Sequence, residues 1–179
     1  MKLGIDLLKP VLEALDQKLA QAGEQRDLIV CGGAALLVLD ISDRQTKDVD
    51  VLLPKLDPIL TAICAEIAKQ FGLDPDWLNN GPESLVRDLE KGWENRVTVA
   101  YKGPSLNVKV LGRRDLVATK LFALCDRDEN DLDDLVKLKP SSEEIDSLKQ
   151  WVLDREASEL WPARVEKCFK KLKSRLPNG

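Results

Sequence analysis

A short apolar run, Leu28-Ile29-Val30-Cys31, breaks directly into Gly32-Gly33 and then into a second apolar stretch, Ala34–Leu39. A run this short, bounded by turn residues, reads as a buried strand. The glycine pair turns it sharply into a helix. After the polar loop 40–47 comes Asp48-Val49-Asp50-Val51-Leu52-Leu53, a second strand stopped by Pro54. This order requires helices layered on a sheet. Aromatic residues are only 4% of the chain, so its core rests mainly on Leu, Val, Ile and Ala. That favours helices on a short sheet over an aromatic-rich sandwich.

The flanking pattern extends this α/β (α+β) reading. Leu8, Val11, Leu12, Leu15 and Leu19 recur at helical spacing within 5–22, and Ile59, Leu60, Ile63, Ile67 and Ala68 within 56–71. The stretch 72–95, punctuated by Pro75, Gly81, Pro82 and Gly92, fits no single element. Runs 96–101 and 106–111 around Lys102-Gly103-Pro104-Ser105 read as a hairpin. The remainder is helical, over 115–125, 130–138, 142–155 and 158–176, with Ser142 opening the third of these. The expectation is a small mixed sheet with flanking helices in 1–112, and a helical region, 113–179, packed on it as one compact unit.

The chain has no histidine, which excludes imidazole bases, Ser–His and Cys–His nucleophiles and His-ligated zinc. Chemistry must run on carboxylates, Lys, Arg, hydroxyls, backbone amides or a bound ion, and carboxylates suit a hard cation such as magnesium. Cys31, Cys64, Cys125 and Cys168 form no C-x-x-C pair and read as buried thiols in a reducing cytosol. Residues 1–19 carry Lys, Asp and Glu through an amphipathic pattern, unlike a secretory leader, and no apolar run reaches membrane-spanning length. The expected location is therefore cytoplasmic, with no membrane partner. A net charge of −4 argues against broad sequence-independent DNA binding.

Two features carry candidate chemistry. Amides opening the helix at Gly32 and Gly33 suit an anion, although a tight connection alone also explains a Gly-Gly turn. It is not a P-loop, because no Gly-Lys-Ser/Thr follows. In Asp48-Val49-Asp50 the alternation of a strand puts both carboxylates on one face, about 7 Å apart at Cα, where they can converge on a divalent ion. A solvated strand face is the alternative.

Taken together, Gly32-Gly33-Ala34-Ala35 and Arg44-Gln45-Thr46-Lys47-Asp48-Val49-Asp50 resemble the G-G-x-A … R-x-T-x-D-[IV]-D pattern of AbiEii-like and related bacterial nucleotidyltransferases of the polymerase-β type. Asp76-Trp77-Leu78-Asn79 is similar to a W-L-N element of one such group. Asp115-Leu116, Lys120-Leu121-Phe122-Ala123, Arg127 and Asp131-Leu132-Asp133-Asp134-Leu135 resemble its later helix pair. The resemblance spans roughly 28–138. It implies that Gly32 and Gly33 line nucleotide phosphates and that Asp48 and Asp50 hold Mg2+. Lys120 would contact the triphosphate and Asp131 or Asp134 would complete the site, while Arg44 and Thr46 would touch phosphate or acceptor. It further implies transfer of a nucleoside monophosphate from an NTP to an RNA, tRNA or protein acceptor, in a toxin–antitoxin setting with an antitoxin partner.

This sequence departs from the commonest members, which have Gly-Ser at the turn and a third acid on a later strand. Here 106–110 offers Asn107 and Lys109 instead. A catalytically degenerate protein that binds nucleotide or a partner without turnover is the alternative. Each single residue also has a plainer explanation. Arg44 can tie down its loop, Lys120 can snorkel at the edge of a core, and the aspartates at 131–134 can favour a helix start. Trp77-Leu78-Asn79 reads as a packing anchor followed by a turn residue. The basic face of the last helix, including Arg164, Lys167, Lys170, Lys171, Lys173 and Arg175, is either solvated or attractive to RNA.

Overall fold

The computed structural model describes residues 2–127 and 130–176. It divides into two compact units, 1–112 and 113–179. The first contains α1 (Ile5–Gln21), β1 (Arg26–Cys31), α2 (Gly32–Val38), β2 (Val49–Leu53), α3 (Pro58–Phe71), β3 (Leu78–Asn79), β4 (Thr98–Lys102) and β5 (Leu106–Val110). The second contains α4 (Arg113–Asp126), α5 (Asn130–Leu138), α6 (Ser142–Leu153) and α7 (Trp161–Lys173).

The sheet runs in the order β3-β2-β1-β5-β4 and is mixed, as the sequence led us to expect. β1 is antiparallel to β2 and parallel to β5, β2 is parallel to β3, and β4 is antiparallel to β5. Leu28 and Val30 of β1 sit beside Val108 and Val110 of β5, and all four are buried. On the opposite face Asp27 accepts hydrogen bonds from Asn107 Nδ2 (2.7 Å) and Lys109 Nζ (3.0 Å). These two donors, Asn107 first, hold the Asp27 carboxyl below its usual range. The later strand that lacks an acid thus spends its polar face on a neighbouring strand.

α1 buries Leu8, Val11, Leu12, Leu15 and Leu19, the stripe visible in the sequence. Its Asp16 is also buried, at 7% exposure. One carboxylate oxygen of Asp16 accepts the backbone N–H groups of Ser105 (2.8 Å) and Leu106 (2.7 Å) at the start of β5. A Cβ on Gly103 would overlap that carboxylate, so a residue without a side chain is required there. A single buried acid therefore ties the β4–β5 hairpin to α1. α3 begins with Pro58 after Asp57, whose side chain caps the Leu60 N–H at 2.9 Å.

The stretch that fits no single element contains β3 and two 3-10 turns, 83–87 and 93–96. Trp77 is fully buried and donates its indole N–H to the Cys64 carbonyl of α3 at 3.1 Å. It is the expected anchor. Leu78 and Asn79, however, are not a turn: they pair with Val49 and Asp50 as an edge strand. Asn80 fixes that strand's end, its amide donating to the carbonyls of Val51 (2.9 Å) and Pro54 (3.1 Å) and accepting from Leu56 N (2.8 Å).

In the helical unit Ser141, not Ser142, caps α6, accepting from Glu144 N at 3.1 Å. The last helix is shorter than expected, opening at Trp161. The Trp161 indole donates to the Val152 carbonyl at 3.1 Å, and its ring meets Phe122 edge-on with centroids 5.8 Å apart. Cys31, Cys64 and Cys125 are buried, whereas Cys168 is half-buried. Burial alone pushes the Cys64 thiol up to about 12. No helix among the described residues is long and apolar enough to cross a membrane.

Replacing Asp16 by Ala should leave two N–H groups at the head of β5 without their acceptor. The expected loss is about 1–3 kcal/mol of unfolding free energy in a urea titration. A loss indistinguishable from zero would show that the hairpin does not depend on this tie.

Candidate active site

The turn between β1 and α2 and the entry of β2 form one cluster. Cys31, the last residue of β1, is opposite Asp50. Gly32 has φ +70°, a left-handed conformation that L side chains rarely adopt, and a Cβ built there would lie 2.6 Å from Asp50 Oδ2. Glycine at this position is therefore required twice, once by the backbone and once by the carboxylate above it. Gly33 faces the loop leading into β2: a Cβ there would lie 3.1 Å from Thr46 Oγ1 and 4.0 Å from Arg44 Nη2.

That loop is itself anchored. Thr46 exchanges backbone hydrogen bonds with Leu3, at 2.7 and 2.9 Å, and its hydroxyl donates to the Asp48 carbonyl at 3.2 Å. The structure thus brings Gly32, Gly33, Arg44, Thr46 and Asp50 together. Asp48 stands just before β2. Val49 and Val51 are buried while Asp48 and Asp50 are half-buried, the alternation expected of a strand with one polar face. Asp48 lines a cleft of about 820 Å³ with Lys2, Lys47, Asp74, Asp76, Asn79 and Gly81.

Asn79 and Gly81 were not read from the sequence as site residues. Asn79 pairs in parallel register with Asp50 and so shares its face of the sheet. Its Oδ1 accepts the Gly81 N–H at 2.6 Å. A Cβ on Gly81 would lie 2.8 Å from Asn79 Oδ1 and 3.8 Å from Asp50 Oδ1. The two oxygens of Asp50 thus border the bare faces of two different glycines. Among the described residues no group of three or more Asp, Glu or Cys side chains converges as a metal cluster.

Lys120, Asp131 and Asp134 belong to the helical unit. Lys120 Nζ donates to Asp131 Oδ1 and Asp134 Oδ2, each at 2.7 Å. Lys120 is 6% exposed and Asp134 1%. A buried ammonium held between two carboxylates joins α4 to α5. The basic face of α7 is partly engaged as well: Lys173 pairs with Asp146 (2.6 Å), Arg175 approaches Asp133 (4.0 Å), and Arg164 donates to the Asp126 carbonyl (2.6 Å).

The chain belongs to a family described as nucleotidyltransferase of unknown function (DUF6036), whose model matches residues 7–168. The match takes in the Gly32-Gly33 turn, Asp48 and Asp50, β3 and most of the helical unit. No curated protein and no solved structure matches the chain.

Because its cation joins two helices, replacing Lys120 by Met should cost about 3–5 kcal/mol of stability, measured by thermal or urea unfolding. A change within about 0.5 kcal/mol would mean that Lys120 has no structural duty and is held for a ligand.

Proposed function

Taking that family membership as premise, we propose that the chain transfers a nucleoside monophosphate from an NTP to a hydroxyl-bearing acceptor, with the reacting phosphates held between the Gly32-Gly33 turn and Asp48-Asp50. The observation that carries this reading is the packing of Asp50 over Gly32 while Asp48 opens onto a cleft lined by charged side chains. Two carboxylates side by side on one strand repel, and a site that holds a cation turns that cost into affinity.

Mg2+ fits these residues. The donors are hard oxygens, and the space 3.8 Å from Asp50 Oδ1 is one that a Cβ at position 81 would fill. Asp48 and Asp50 would hold it, and the ion would supply charge neutralisation on the phosphates. Arg44 and Thr46, gathered over Gly33, would meet phosphate or acceptor. In the transfer the acceptor oxygen bonds to the α-phosphorus as its bond to the bridging oxygen breaks. Pyrophosphate leaves with the electron pair, and the acceptor's proton goes to solvent or to a cleft carboxylate.

Lys120 is not assigned to the triphosphate in this proposal, because two aspartates of its own unit already share its charge. The acceptor class, RNA, tRNA or protein, and a toxin–antitoxin setting rest on the AbiEii-like pattern of residues 44–50. The second reading, a protein that binds nucleotide without turnover, is favoured by the lack of a third converging acid among the described residues.

α-Labelled NTPs incubated with the protein, Mg2+ and total RNA or protein should yield a labelled acceptor. Asp48→Asn and Asp50→Asn should each lower that labelling by two orders of magnitude or more. Magnesium-dependent nucleotide binding with no transfer in the parent protein would instead establish the non-catalytic reading. Growth arrest on expression in a bacterial host, relieved by the same substitutions, is the result expected of a toxin.

A further inference from the structure

The site has two acids where the commonest enzymes of this type have three, and the short edge strand offers a substitute. We propose that the side-chain oxygen of Asn79 serves as a third protein donor to the divalent cation of the Asp48-Asp50 site. The proposal rests on the nucleotidyl-transfer reading above.

The geometry begins with register. In parallel β2–β3 pairing Asp50 is opposite Asn79 and Val49 is opposite Leu78. The valine and leucine are buried, so both polar residues stand on the other face, with Asp48 beside them by alternation. Gly81 then relates the two oxygens to each other. Asp50 Oδ1 and Asn79 Oδ1 lie 3.8 and 2.8 Å from the single point a Gly81 Cβ would occupy, and Asn79, Gly81 and Asp48 all line the same cleft.

Asn79 is held there from both ends of its short strand. Trp77 is locked to α3 through the Cys64 carbonyl, and Asn80 is locked to the end of β2. Gly81 donates its N–H to Asn79 Oδ1, which aims the amide and leaves the oxygen's second lone pair for another partner. A carboxamide oxygen is a hard, neutral donor of the kind Mg2+ and Mn2+ accept. Using it in place of a third acid also avoids adding a further negative charge to a face that already carries two.

Gly81 acquires a duty by the same argument. Its φ is not in the left-handed region, so a methyl group there is tolerated by the backbone. That methyl would nevertheless force Asn79 Oδ1 out of its position.

The test uses the full chain and Mn2+ alone, titrated by the electron-spin signal of the free ion. Asp50→Asn should abolish binding. Gly81→Ala should weaken it on the order of tenfold or more. Asn79→Asp, which keeps an acceptor for the Gly81 N–H but supplies an anionic oxygen, should tighten binding on the order of tenfold. Asn79 labelled at its side-chain carbonyl carbon should show hyperfine coupling to bound Mn2+, lost in Asn79→Asp made with the same labelled asparagine. If Asp50→Asn abolishes binding but no coupling to asparagine is seen, or Asn79→Asp leaves the affinity unchanged, the role of Asn79 is overturned and the two-aspartate site survives. If the parent protein binds no Mn2+, the cation-binding reading falls and Asn79 falls with it.

Discussion

The contact between Asp50 and the bare backbone of Gly32 sets the rest of the site. One carboxylate oxygen occupies the volume where any other residue would carry a Cβ, and the left-handed φ of Gly32 turns β1 into α2 beneath it. Strand, turn and acid are thereby fixed to one another. Gly33 extends the same arrangement, since its missing side chain admits Thr46 and Arg44, and Thr46 is in turn tied to Leu3 and to the Asp48 carbonyl. The loop between α2 and β2 is positioned by these contacts rather than by a core of its own.

Charge is sorted differently in the two units. In the helical unit Lys120 is consumed by Asp131 and Asp134, a low-exposure ion group that links two helices. In the first unit Asp48 borders an open cleft whose rim carries both lysines and aspartates. The proposed chemistry is placed at residues 32–50, beside this cleft, and not at Lys120, whose charge Asp131 and Asp134 share.

Much of this was legible because it is local. Leu28–Cys31 followed by two glycines gives a strand and a turn from adjacent residues, and the D-x-D alternation puts Asp48 and Asp50 on one face by geometry alone. The helices of the second unit follow from apolar spacing, with errors of a few residues at some ends: α6 opens at Ser142 as expected, capped by Ser141, whereas α7 opens only at Trp161. β3 could not be read this way. It is two residues long, too short for periodicity, and exists only because β2 provides a partner and because Trp77 and Asn80 clamp its ends. Asn79 was therefore read as a turn residue, and Gly81 stayed hidden within an irregular, proline- and glycine-punctuated stretch. Asp16 was hidden for a related reason: an acid on a helix gives no sign that it will be buried against a hairpin far along the chain.

The most direct test of the central claim is anomalous diffraction from crystals soaked with Mn2+ and a non-hydrolysable NTP analogue. The account predicts an anomalous peak coordinated by both Asp48 and Asp50, with the nucleotide's phosphates lying against the Gly32-Gly33 turn. A metal peak remote from both aspartates, or a nucleotide bound away from that turn, would contradict it.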